Sequence, residues 1–156
     1  MPRRRRPTTL PALLASLVLA LAATGTLHAE GLTLPGLDGG KLDTAQLEQG
    51  PAIVVVWASW SPRCRDVVTR VNALARKWSP RARVVTVVFQ EEGETVREFL
   101  AGKGMRPPVY LDSAGAFAKK YGVTTLPGLL IFKRGQADFR GQLPVNPDPV
   151  IERALE

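Results

Sequence analysis

The 156-residue chain has one cysteine, Cys64, and one histidine, His28. A disulfide within the chain is therefore impossible. No Cys/His spacing fits zinc, haem or an iron–sulfur cluster, so no metal is expected. No glycine-rich phosphate loop follows a strand, and no other cofactor signature is present, so none is expected. Acidic residues are missing from the first 29 positions, whereas Arg3, Arg4, Arg5 and Arg6 form one run there. That run explains much of the formal charge of +7. Without residues 1–29, 17 basic residues face 14 acidic ones. A nucleic-acid partner is not expected from so mild an excess.

The N-terminal stretch reads as a targeting segment. M-P-R-R-R-R is a positive flank, residues 10–23 are an apolar run, and T-L-H-A (26–29) is a cleavage site ending in Ala29. The alternative is a retained anchor, since Pro7 to Leu27 carries no charge and is long enough to cross a bilayer. Pro11, Thr24 and Gly25 make a poor spanning helix and favour cleavage. No cysteine follows the apolar run, which excludes a lipid anchor there. Either way residues 30–156 are expected in a periplasmic or other extracytoplasmic space, with membrane contact only if the segment is kept. Such a space permits disulfides, so a lone cysteine is either buried and inert or bonds to other molecules.

The rest is long enough for one compact domain. Residues 31–43 read as short extended pieces around a Gly-rich turn, and 44–50 as one helical turn. A-I-V-V-V-W-A (52–58) and R-V-V-T-V-V-F (83–89) are β-branched runs expected of strands buried on both faces. Between them Val67, Val68, Val71, Leu74, Ala75 and Trp78 recur at helical spacing, predicting one helix over 62–78. Helices over 94–104, 115–122 and 149–155 are expected, with a strand at 108–112 and a hairpin over 128–133 and 137–141. This alternation predicts an α/β fold, with a central mixed sheet covered by helices on both faces. The acidic cluster at 91–94 reads as partners of a helix dipole rather than a cation site.

Two stretches carry chemistry. W-A-S-W-S-P-R-C (57–64) ends a buried strand and opens a helix, and Y-G-V-T-T-L-P-G-L-L-I-F-K-R-G (121–135) lies downstream, with Pro127 63 positions after Cys64. In that order they resemble the two markers of the thioredoxin superfamily, W-A-x-W-C-x-x-C and the cis-proline segment. The extra strand and helix before Pro108 and the exported context resemble its TlpA/ResA-like branch of thiol–disulfide oxidoreductases. The resemblance covers residues 31–156 and implies a thioredoxin-like fold. It places Cys64 at the second, resolving cysteine, Ser61 at the missing nucleophile, Pro127 at the cis-proline and Gly128 at a usual threonine. Trp57 is expected to pack inward and Trp60 to lie on the surface.

Dithiol exchange needs an attacking thiolate and a resolving thiol. One cysteine cannot supply both. Neither carboxylate that family members place near the site is present: their positions hold Val55 and Val67, with Asp66 one residue before the latter. His28 falls in the leader, so no Ser-His or Cys-His pair forms in the domain. Ser61 before Pro62 reads as an N-cap/N1 pair, and on that account Ser61→Ala costs about 1 kcal/mol. Two functions are compatible with these residues. In one, Cys64 forms mixed disulfides alone, its thiolate favoured by Arg63 and Arg65. In the other, Trp60, Ser61, Pro62, Arg63, Leu126 and Pro127 bind a partner without exchange, the backbone of Leu126 pairing with an extended peptide. The expected partner is an extended peptide or a thiol-containing envelope protein.

Overall fold

The computed structural model describes residues 31–156, so the expected leader lies outside the described residues. Its core is a five-stranded sheet in the order β5-β4-β3-β6-β7. The central strand, β3 (Ala52–Trp57), pairs in parallel with β4 (Arg83–Phe89), which pairs in parallel with β5 (Val109–Asp112). On its other side β3 runs antiparallel to β6 (Gly128–Phe132), which forms a hairpin with β7 (Ala137–Gln142). The sheet is mixed, as expected. Every residue of β3 is buried, which explains why its sequence shows no polar alternation.

Alternate side chains of β3 feed two separate cores. Ile53, Val55 and Trp57 join the cluster containing Val67, Val71, Leu74 and Trp78 of α1 (Val67–Trp78), Val96 of α2 (Gly93–Leu100) and Ile151 of α4 (Asp148–Leu155). Val54 and Val56 join Phe117 and Tyr121 of α3 (Ala116–Tyr121) on the opposite face. A small hairpin, β1 (Thr33–Pro35) with β2 (Lys41–Asp43), adds Leu34 and Leu42 to that second core. Helices cover both faces.

Two expected helices are shorter than their apolar periodicity implied. The helix over 62–78 is divided: a 3-10 turn spans Pro62–Cys64, and α1 begins only at Val67. Asp66 interrupts regular helix with φ −100° and ψ 12°. The helix over 94–104 stops at Leu100, because Gly102 and Gly104 adopt positive φ and turn the chain towards β5.

Buried carboxylates are few and satisfied. Asp112, at the end of β5, accepts hydrogen bonds at 3.0 Å from the amides of Phe117 and Ala118. It thereby serves the first turn of α3, whose N-cap, Gly115, has no side chain to do so.

Candidate functional site

Where β3 ends, the chain turns through Ala58–Ser61 into the 3-10 turn. The Ser61 amide donates to the Ala58 carbonyl at 3.2 Å, and the Cys64 amide donates to the Ser61 carbonyl at 2.9 Å. Ser61 has the extended φ and ψ of an N-cap, with Pro62 at the first helical position. Its hydroxyl nevertheless makes no capping hydrogen bond, contrary to the sequence expectation. The tight turn removes two of the three donors, since Pro62 has no N–H and the Cys64 N–H is taken by Ser61's own carbonyl; the Ser61 hydroxyl does not accept from the remaining one, the Arg63 N–H. Asp66 makes no side-chain cap for α1 either.

Cys64 points into the domain. It is 0% exposed and belongs to the same apolar cluster as Trp57, Val67 and Val71. Arg63 and Arg65 on either side of it are exposed. Val55 and Val67, at the positions where family members carry a carboxylate, are wholly buried, and Asp66 is exposed. Trp57 is buried and Trp60 is 59% exposed, both as expected.

A carboxylate does reach this turn, from an unexpected place. Glu91, 8% exposed, accepts from the Ser59 amide at 2.7 Å and, through its other oxygen, from the Ser59 hydroxyl. Only part of the acidic cluster therefore serves the dipole of α2: Glu92 is at its N-cap and Glu94 in its first turn, but Glu91 faces the site. The backbone is bent to aim it. Gln90 has φ 51°, the one positive value at a non-glycine among the described residues, and its amide bonds to the Asp112 carbonyl at 3.0 Å. The Ser113 hydroxyl holds the Glu91 carbonyl at 3.1 Å. The sequence held an indirect sign of this. Parallel strands gather their C-terminal ends, so the loop leaving β4 must lie beside the turn leaving β3.

Beside the turn lies a groove of about 420 Å³. Trp60, Ser61 and Arg63 form one wall; Val123, Thr124, Thr125 and Leu126 form another, with Phe89 and Ala118 completing it. Trp60 is braced by Phe89, their ring centres 6.4 Å apart. Of the residues expected at a binding site, Trp60, Ser61, Arg63 and Leu126 thus share one groove. Pro62 is exposed at the turn and does not line it. Pro127 is buried behind it, and the Leu126–Pro127 peptide is cis. The Pro127 carbonyl accepts from the Leu143 amide at 2.9 Å. Among the described residues, no backbone N–H or C=O of Thr124, Thr125 or Leu126 takes part in a hydrogen bond. Gly128 permits this loop to lie close: a Cβ there would stand 3.0 Å from the Thr125 carbonyl oxygen and 3.1 Å from Val123 Cγ1. Among the described residues no group of three His, Cys, Asp or Glu side chains is placed to hold a metal ion.

A mixed sheet between two helical layers, with a turn at the end of β3 facing a cis-proline loop, is the thioredoxin-like arrangement. The chain belongs to the AhpC/TSA family, whose profile matches residues 27–138. It is similar to thiol-disulfide oxidoreductase ResA of Bacillus thuringiensis subsp. konkukian, with 24% identity over 111 residues, covering 70% of this chain and 64% of that one. The chain thus spans 64% of the length of that relative. In three dimensions it resembles a putative thiol:disulfide interchange protein DsbE from Chlorobium tepidum, with a TM-score of 0.69 and 24% identity, covering 81% of this chain and 94% of that one. It also resembles the exposed lipoprotein thioredoxin Etrx1 from Streptococcus pneumoniae, with a TM-score of 0.69 and 20% identity over 80% of this chain and 97% of that one. The likeness to ResA supports the TlpA/ResA-like branch, and the two solved structures share the fold.

Proposed function

We propose that this chain is an exported thioredoxin-like protein in which Ser61 stands in place of the nucleophilic cysteine, and that its groove binds an extended segment of a partner protein without thiol–disulfide exchange. The observation that carries this reading is a contrast in access. Cys64 is 0% exposed, while the groove beside it is open. A thiolate must meet its target sulfur in line, and a sulfur sealed in an apolar cluster is unreachable. The unpaired backbone of Thr124–Leu126 offers what an extended peptide needs, a row of free donors and acceptors. Location in the envelope is supported by the leader-like residues 1–29 and by the likeness to an exposed lipoprotein.

The competing reading keeps Cys64 as a single reactive thiol, in a chain related to the oxidoreductase ResA. Alkylation separates the two. Iodoacetamide should modify folded Cys64 on the order of a thousandfold more slowly than in denaturant, matching a local opening cost of roughly 4 kcal/mol. Cys64→Ala should leave partner capture intact. Fast native labelling, together with loss of capture in Cys64→Ala, would instead establish the monothiol reading.

A further inference from the structure

The lining of the groove says which extended segments it would favour. Among its nine lining residues Arg63 is the only charged one, and no carboxylate joins it. The one salt bridge among the described residues is Lys77–Asp148, at the far end of α1, and the Arg63 guanidinium has no hydrogen-bond acceptor among them. Arg70 and Arg97, by contrast, are engaged within the domain: Arg70 holds the carbonyls of Leu143 and Pro144, and Arg97 holds that of Leu37. Glu91, the carboxylate bonded to this turn, is committed to Ser59. Beside this unpaired cation the groove is otherwise lined largely by apolar side chains, Trp60 on the same wall and Phe89, Val123 and Leu126 elsewhere in the lining.

We infer that the groove selects an extended peptide carrying an acidic side chain two positions from a bulky aliphatic one. Resting on the peptide-binding reading above, this inference names the ligand chemistry of that site. In an extended chain, side chains two apart point to the same side. A segment paired along Thr124–Leu126 therefore presents residues i and i+2 together to the opposite wall. That wall offers one apolar surface, at Trp60, and one cation, at Arg63. An aliphatic side chain covers exposed indole surface, while a carboxylate two residues away meets a planar guanidinium suited to bidentate pairing. A basic side chain in that place would face Arg63 unscreened.

The test is calorimetric titration of the purified protein with three blocked pentapeptides: Ac-Gly-Asp-Ser-Leu-Gly-amide and its Asn and Lys analogues at the second position. The Asp peptide should bind about three- to fivefold more tightly than the Asn peptide, the range of one accessible ion pair, and the Lys peptide more weakly than either. Raising salt to 0.5 M should shrink the Asp preference. Arg63→Gln should abolish it, whereas Arg65→Gln, whose side chain is exposed outside the groove, should leave it unchanged. Equal affinity for Asp and Asn peptides, or a preference that survives Arg63→Gln, would overturn the inference and leave the peptide-binding reading standing. Failure of all three peptides to bind would overturn both.

Discussion

The two ends of α1 are held in opposite ways. At its C-terminal end, Trp78 donates its indole N–H to Asp148 at 2.9 Å and Lys77 pairs with the same carboxylate at 2.6 Å. Arg81 lies 5.1 Å from the centre of the Trp78 ring. That end is thereby tied to the first residue of α4. At the other end, neither Ser61 nor Asp66 caps a helix start. The turn before α1 is held instead from the neighbouring strand, by Glu91 on Ser59. One end invests its polar groups in anchoring. The other leaves the Ser61 hydroxyl, Arg63 and the loop backbone opposite uncommitted.

The largest break in this comparison comes from removing the clamp. Glu91→Ala takes away both acceptors of Ser59 in a partly buried setting. Hydrogen bonds to a charged group are worth about 1.5–3 kcal/mol, so a loss of about 3 kcal/mol in denaturant unfolding is expected. Glu91→Gln can still accept from the Ser59 amide and donate to its hydroxyl, and should recover most of that loss. Because the clamp lies next to Trp60, Glu91→Ala should also shift tryptophan emission to longer wavelength, an effect lost in a Trp60→Phe background. A change in stability with no Trp60 signature would mean that Glu91 holds the sheet end and not the groove wall.

A smaller effect is expected at the anchored end. Asp148→Ala leaves the Trp78 indole without its acceptor and should cost about 1–2 kcal/mol, most of it from that bond because the Lys77 pair is half exposed. The hydrogen bonds from Lys77 and then Trp78 hold the Asp148 carboxyl below its ordinary value. A depressed folded-state value places the stabilisation at pH above the unfolded value of about 3.9. It is lost as pH falls through the lower folded value. The wild type should therefore lose its advantage over Asp148→Asn in acid unfolding below about pH 4, and peptide binding at neutral pH should not change. An advantage that persists unchanged to pH 2 would remove the charge from the account.

The difference between the ends also marks how far the residues could be read without coordinates. Strands 52–58 and 83–89 were legible because β-branched runs buried on both faces leave few alternatives. The inward Trp57 and outward Trp60 were legible from strand phase and turn position. Glu91 was not, since its reach to Ser59 depends on the parallel register of β3 and β4 and on the positive φ of Gln90, neither of which residue type encodes. The break at Asp66 escaped because apolar periodicity runs on through a 3-10 turn whose residues are compatible with regular helix. For Cys64, residue type alone is compatible with either a buried, inert thiol or one that bonds to other molecules. Packing decides its exposure, for the turn tucks its last residue under β3 and α1.

The smallest effect is expected at Ser61. A serine at an N-cap ordinarily contributes about 1 kcal/mol through its hydroxyl, and the sequence alone led to that expectation. Here the hydroxyl makes no such bond: proline supplies no N–H, that of Cys64 is held by the Ser61 carbonyl, and that of Arg63 is not engaged by the side chain. Ser61→Ala should therefore change unfolding free energy by less than about 0.3 kcal/mol, well under an ordinary cap. Its effect should appear in binding instead, since the residue lines the groove beside Trp60 and Arg63. Calorimetry with the Asp pentapeptide and urea unfolding on the same samples separate the two. Unchanged stability with weakened binding assigns the hydroxyl to the ligand. A loss near 1 kcal/mol would show that the side chain rotates to cap Arg63 in solution, and would make this end of α1 less open than its geometry implies.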